Sequence, residues 1–277
     1  MNNPRIADDH DFESLKQLVD DNAGWNLELS KAETQVWTKS IEGCSFHMVK
    51  IHSIFHNISS DIVFDVLHDP DYRKDWDSHM IASEEIGCFN VNNDIGYYAM
   101  SCPPPLKPRD FVLMRSWLDT GPQGEQLLLS RSVPHKDYPP RKGFIRAMSY
   151  ITGFVIRPQP NGGCYLGYVA HCDPQGKLPP WLVNKVTHTV GPRMVKDLRK
   201  ASEGYVLWKT NQPHYRKPWR FPEEITCPRI FLDDCIQQIQ ENDNSDVSEN
   251  IAASQKQQAK QRKIPRDSRK LRLQTHK

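Results

Sequence analysis

The chain has 277 residues, 38% of them hydrophobic and 25% charged, with a net charge of +2; this is long enough for one large domain with a sizeable core, and the charge balance alone implies no polyanionic partner. No run of about 18 apolar residues occurs and residues 1–11 are polar, so the sequence predicts a cytosolic protein with neither a helical membrane span nor a secretory signal. The seven cysteines (44, 88, 102, 164, 172, 227 and 235) are odd in number and contain no C-x-x-C pair, which predicts free thiols rather than a disulfide framework or a structural zinc site.

Acidic residues at 8–11 followed by Phe12, Leu15, Leu18 and Val19 at helical spacing predict an amphipathic helix over 8–22, ended by Gly24. From Trp25 to Phe55 the pattern turns to short β-rich runs at 25–29, 36–38 and 46–55, read as a three-strand meander. Ser59 or Ser60 caps the next helix, whose Ile62, Val63, Val66 and Leu67 face a sheet. Asp69 and Pro70 are an N-cap and first helical position, so that helix ends near His68 and a short second one starts at Pro70. Six further strand runs follow at 81–89, 95–102, 110–118, 126–133, 143–157 and 164–172, and Asn161-Gly162-Gly163 reads as a hairpin turn. Phe111, Leu113 and Trp117 alternate with Val112, Met114 and Leu118, so the strands are apolar on both faces and both faces must be covered. A long helix beginning near Pro180 carries Leu182, Val186, Val190, Met194 and Leu198 every four residues, with a kink expected at Pro192. The reading is an α+β domain over 8–210 and a Pro-rich, then polar and basic tail over 211–277 with little fixed structure.

The segment from Asp65 to Asp77 is the most informative. Tyr72 and Trp76 share one helical face, and Arg73 and Asp77 share the next. A surface i,i+4 ion pair would need no further role and would stabilise the helix by about 0.2–0.5 kcal/mol. Here the basic residue comes first, the poorer order for the helix dipole. A guanidinium held by a carboxylate beside aromatic rings can instead be a fork set for an anionic head group.

Element order and motifs carry a resemblance. Asp71-Tyr72-Arg73-Lys74-Asp75-Trp76-Asp77, Tyr97-Tyr98, Cys102-Pro103-Pro104-Pro105 with Arg109-Asp110, and Leu178-Pro179-Pro180-Trp181-Leu182-Val183-Asn184-Lys185 together resemble the phosphatidylcholine-transfer group of START domains, and within it the larger phosphatidylcholine-transfer-like member. The resemblance implies a helix-grip fold in which a curved antiparallel sheet of about nine strands encloses a lipid cavity closed by the long C-terminal helix, with Trp181, Leu182, Val186, Val190 and Met194 on that lid. It implies a non-enzymatic carrier of phosphatidylcholine or phosphatidylethanolamine that visits membrane surfaces transiently and needs no cofactor beyond the bound phospholipid. By the same resemblance Arg73 takes the lipid phosphate, Asp77 orients Arg73, and Tyr98 faces the choline. Tyr72 belongs to the same head-group region, and Leu67 and Ala170 stand where the family supplies further aromatic rings, which implies weaker selection for choline over ethanolamine.

Other constellations are less informative. The acidic cluster around residues 68–79 fails the calcium-loop pattern, with Arg73 at a ligand position and Lys74 where Gly is needed, so no metal site is expected. His47 and His52 fall on opposite faces of a strand. Arg115, Arg131 and Arg146 in strand runs read either as additional anion ligands or, the commoner case, as edge or snorkelling residues, and the Pro-rich 102–108 loop either flanks the cavity mouth or is a rigid connection. No nucleophile elbow, phosphate loop or dinucleotide fingerprint occurs. Lys256, Lys260, Arg262, Lys263, Arg266, Arg269, Lys270 and Arg272, with Asp267 as the one acid among them, suit an anionic surface or a solvated end. Two alternative functions therefore stand beside the carrier: a lipid-sensing adaptor whose tail binds a protein, and a membrane- or RNA-tethering protein, with nucleic acid the less favoured partner.

Overall fold

The computed structural model describes residues 4–104, 106–160, 162–176, 178, 182 and 191–235. The strands are β1 (Asn26–Lys31), β2 (Thr34–Lys39), β3 (Met48–Phe55), β4 (Met80–Asn90), β5 (Asn93–Met100), β6 (Arg109–Asp119), β7 (Gln126–Ser132), β8 (Ile145–Arg146), β9 (Met148–Pro158) and β10 (Cys164–Asp173). The helices are α1 (Asp9–Asp20), α2 (Ser60–His68), α3 (Pro70–Trp76) and α4 (Gly191–Thr210). The strands form one open sheet in the order β1-β2-β3-β10-β9-β7-β6-β5-β4, with β8 paired to β6 off this path, so the first three strands join the rest where β3 pairs with β10.

Nine of these strands match the nine expected runs, but the run 143–157 divides in two. Ile145 and Arg146 pair in parallel with Arg109 and Asp110 of β6, and the chain then crosses to lie antiparallel to β7 and β10 as β9. The fully buried Asp110 carboxylate holds the short piece in place, accepting from Arg146 Nε at 3.1 Å and Nη2 at 3.0 Å. The Ala147 amide donates to the Asp110 carbonyl at 2.9 Å.

The outer face of the sheet is covered by α1. Asp8 caps it in a reciprocal box with Asp11, and Phe12, Leu15 and Val19 bury against Leu127, Leu129, Val155 and Val169. Close approach depends on two glycines: a Cβ on Gly153 would stand 2.6 Å from Leu15, and one on Gly167 would stand 2.4 Å from Val19. The fully buried Lys50 satisfies the helix C-terminus, donating to the Val19 and Asp21 carbonyls and to Asn22 Oδ1 at 3.3, 2.7 and 2.8 Å. The inner face receives α2 and α4, where Val63, Phe64, Val66 and Leu67 pack with Val195, Leu198, Ala201 and Tyr205 over Ile51, Phe55, Ile156 and Leu166.

Past α4 the sequence reading expected little structure, whereas the chain stays folded against the body as far as Cys235. Lys217 Nζ, Trp219 Nε1 and Arg220 Nε all donate to the Asp65 carboxylate of α2, at 2.7, 2.7 and 3.0 Å. Pro228 and Ile230 then bond the backbone of Cys88 on edge strand β4, and Cys235 is buried against the outer face of β4 to β6. This strap covers an otherwise open sheet edge. All seven cysteines are free.

Candidate functional site

The site begins at the joint between α2 and α3. Asp69 accepts from the amides of Asp71 and Tyr72 at 3.1 and 3.2 Å, with Pro70 as the first helical residue, so α3 starts as soon as α2 stops. Asp69 Oδ2 also takes Tyr205 Oη at 3.0 Å and Lys209 Nζ at 2.8 Å, which ties the joint to α4. This reversal folds Arg73 back beneath α2, where its Nη2 donates to the Leu67 carbonyl at 2.9 Å. That carbonyl belongs to the last turn of α2 and needs such a donor.

Arg73, Asp77 and Tyr98 are brought together. Arg73 Nη1 lies 3.5 Å from Asp77 Oδ2, the same oxygen accepts from Tyr98 Oη at 2.9 Å, and the guanidinium sits 5.2 Å from the centre of the Trp76 ring. Burial pushes the Arg73 pKa down, opposed by Tyr98 and Asp77; a guanidinium stays charged through such a shift. Burial and the Asp77 charge push the Tyr98 phenol up, so it remains a donor. Trp76 Nε1 is buried with no hydrogen-bond partner, and the side chain of Arg73 keeps 24% of its surface. The cluster is therefore rich in unspent donors facing the inner side of the sheet, an arrangement that accepts an oxyanion.

Alternation from Tyr98 and its partner Phe111 places Leu113, Arg115 and Trp117 on the same inner face. Leu128, Phe154 and Tyr168 join them there, only partly buried although helices cover this side. Arg115 keeps 37% of its side-chain surface; burial pulls its pKa down, but the Asp94 charge and hydrogen bond lead the groups that outweigh it and raise it. It forks onto Asp94, its Nε donating at 2.8 Å, and burial followed by the Asp94 charge pushes the nearby Glu85 up. Arg131 pairs with Asp11 at 3.0 Å and Arg146 with Asp110, so neither belongs to this lining.

A START domain model matches residues 5–206. The chain belongs to the START domain family. Its sequence is 38% identical over 252 residues to START domain-containing protein 10 of Mus musculus, covering 90% of this chain and 84% of that protein. It is 24% identical over 194 residues to the phosphatidylcholine transfer protein of Homo sapiens, covering 69% and 90% respectively. The crystal structure of human STARD10 superposes with a TM-score of 0.80 at 36% identity, covering 87% of this chain and 98% of that one. The chain is thus a START domain similar to those of the phosphatidylcholine-transfer group, built on the expected α+β fold.

The remaining expected site residues fall in different places. Ala170 shares the inner face of β10 with Tyr168 and Leu166. The Leu67 side chain is buried in the core between α2 and the sheet. Tyr72 lies between helices: its hydroxyl donates to the Ala201 carbonyl at 2.8 Å and its ring packs on Tyr205 and Trp208, so it holds α3 to α4 rather than presenting a ring to a head group. On the lid, Leu182 is buried and Met194 packs on the core, whereas Trp181, Val186 and Val190 lie outside the described residues, as do Asn161 and the basic tail. Pro192 is the second residue of α4 as described, so the turn that its kink would affect lies outside too. No group able to hold a metal ion occurs among the described residues.

Sequence reasoning underrated Arg115, although strand alternation with Trp117 carried the signal. It weighed His68 only within the metal cluster it set aside, whereas this side chain is buried among Phe64, Trp117 and Trp219 with Nδ1 donating to the Phe64 carbonyl at 2.9 Å. Burial and the Arg115 charge hold its pKa well below the usual range, so it is neutral, and its Nε2 has no partner.

Proposed function

We propose that this START domain carries one glycerophospholipid at a time, phosphatidylcholine or phosphatidylethanolamine, between membranes, without catalysis and with only transient contact with the membrane surface. It would do this in the cytoplasm. The observation that carries the reading is Arg73, half-buried on the inner side, fixed by Leu67, Asp77 and Tyr98, with the unpartnered Trp76 indole beside it. A buried phosphate costs several kcal/mol if unpaired, and such a fork removes that cost. The partly buried apolar row from Leu113 to Tyr168 supports the placement of the acyl chains, each methylene contributing about 0.8 kcal/mol when hidden from water. Leu67 and Ala170 add no ring near Tyr98, which favours a site that accepts ethanolamine as well as choline.

The test is extraction of phospholipid from vesicles by the full chain and by Arg73→Ala. The variant should lose extraction while keeping its far-ultraviolet circular dichroism; normal extraction would remove Arg73 from the head-group role. If the unaltered chain binds lipid without moving it between vesicles, the adaptor function becomes the better account.

A further inference from the structure

A second concave site lies outside the hollow of the sheet, between the β1–β2 hairpin and the first turns of α4. Leu29, Lys31 and Ala32 from the hairpin and Val195, Lys196 and Arg199 from the helix border a groove of about 320 Å³. Its floor is apolar and its rim is cationic. Lys31 and Lys196 are exposed and make no ion pair among the described residues. Arg199 is held by β3, its Nη2 donating to the Ile54 carbonyl at 2.8 Å and to Ser53 Oγ at 3.1 Å, while its buried Nε has no partner. The carboxylate nearest Arg199 is Glu33 at 3.6 Å, and it is shared with His56. Three cations thus meet one carboxylate that is already engaged.

This distribution selects an anion that carries apolar carbon behind it. A phosphate reaches the Lys31, Lys196 and Arg199 rim, and the first methylenes below it cover Leu29 and Val195. The face of α4 that carries Lys196 and Arg199 continues at helical spacing past one exposed acid, Glu203, to Val206 and Leu207, which are 54% and 72% exposed. Apolar side chains on one helical face with cations beside them match a bilayer surface better than a dissolved phosphate. We infer that the groove between the β1–β2 hairpin and α4 seats the head group of an anionic phospholipid in a membrane, apart from the interior lipid that Arg73 holds. This deepens the carrier reading, on which it rests, by naming the surface at which the protein loads.

The experiment is co-sedimentation of the full chain with vesicles of phosphatidylcholine alone and of phosphatidylcholine mixed with phosphatidylserine, beside the Lys31→Gln/Lys196→Gln variant. Both lysines are exposed and outside the core, so the variant folds. Each basic residue near an anionic surface contributes about 1 kcal/mol, roughly a five-fold change, so partitioning onto the mixed vesicles should fall about ten-fold or more. Binding to neutral vesicles and the phospholipid load seen by native mass spectrometry should not change. Equal sedimentation of variant and parent on mixed vesicles overturns the site. Displacement of the parent from mixed vesicles by millimolar glycerol phosphate, absent in the variant, overturns the membrane assignment in favour of a soluble phosphate. A parent that sediments in a lysine-dependent manner yet carries no phospholipid upholds the groove and removes the carrier reading instead.

Discussion

Replacing Asp65 with Asn tests whether the strap after α4 is held by one carboxylate. Asp65 keeps only 7% of its side-chain surface and accepts from Lys217, Trp219 and Arg220, whose cationic members keep 15% and 20%. Asn preserves the shape and one accepting oxygen but removes the charge. Breaking a buried ion pair from one side costs about 3–5 kcal/mol. Arg220 retains Asp119 at 2.6 Å and Asp61 at 2.9 Å, which are more exposed, so the loss should be about 2–3 kcal/mol. Because the strap lies outside the sheet and helices and keeps separate contacts at Cys88 and Cys235, the loss should appear as local opening rather than global unfolding. Amide hydrogen exchange reads it directly: the Arg220 and Phe221 amides, which donate to the Lys217 carbonyl, and the Ile230 amide on Cys88 should lose roughly 30- to 150-fold of protection. Amides of β9 and β10 should keep theirs. Unchanged protection from 217 to 230 would refute the claim that Asp65 anchors the strap.

Three further outcomes follow from the same geometry. Tyr98→Phe removes the hydroxyl that donates to Asp77; at about 1.5 kcal/mol for a hydrogen bond to a charged group, phospholipid extraction should weaken about ten-fold with little change in stability, and parent-like extraction would count against Tyr98 as a support for the fork. Gly167→Ala places a Cβ 2.4 Å from Val19 and should destabilise the fold by about 1–3 kcal/mol, read in urea; an unaltered midpoint would mean that α1 is free to move outward. Acid should act through His52, which donates from Nε2 to the Val19 carbonyl at 2.9 Å and whose pKa burial lowers from 6.5 to about 4. The folded form binds this proton less readily than the unfolded chain, so its contribution is complete above pH 6.5 and is lost as pH falls towards 4. His52→Gln keeps a donor and should flatten that part of the stability profile; an unchanged slope would assign it to other groups.

How much the sequence disclosed depends on the range of the interaction. The α2–α3 joint was legible because Asp69 and Pro70 act on their own neighbours, and nine strand runs were legible from composition and alternation. The split of 143–157 was not, because Asp110, 36 residues earlier, fixes Arg146 to a different strand. The strap was misread for a similar reason: its Pro-rich polar composition matches that of an unfolded segment, and the carboxylate that anchors it lies 152 residues away from Lys217. Within the candidate site, the pairing of Arg73 with Asp77 is legible in their i,i+4 spacing, whereas the packing of Tyr72 on α4 is a long-range contact with no local signal. Arg115 pairs with Asp94, 21 residues earlier on the neighbouring strand, a contact that its own sequence neighbours do not signal.

The central claim concerns what fills the space beneath the helices. Native mass spectrometry of the full chain after incubation with mixed phosphatidylcholine and phosphatidylethanolamine vesicles, with the released molecule then identified, tests it most directly. The account predicts a single phospholipid per chain, lost in Arg73→Ala. A lipid-free mass after incubation, or a bound sterol indifferent to Arg73, would contradict it.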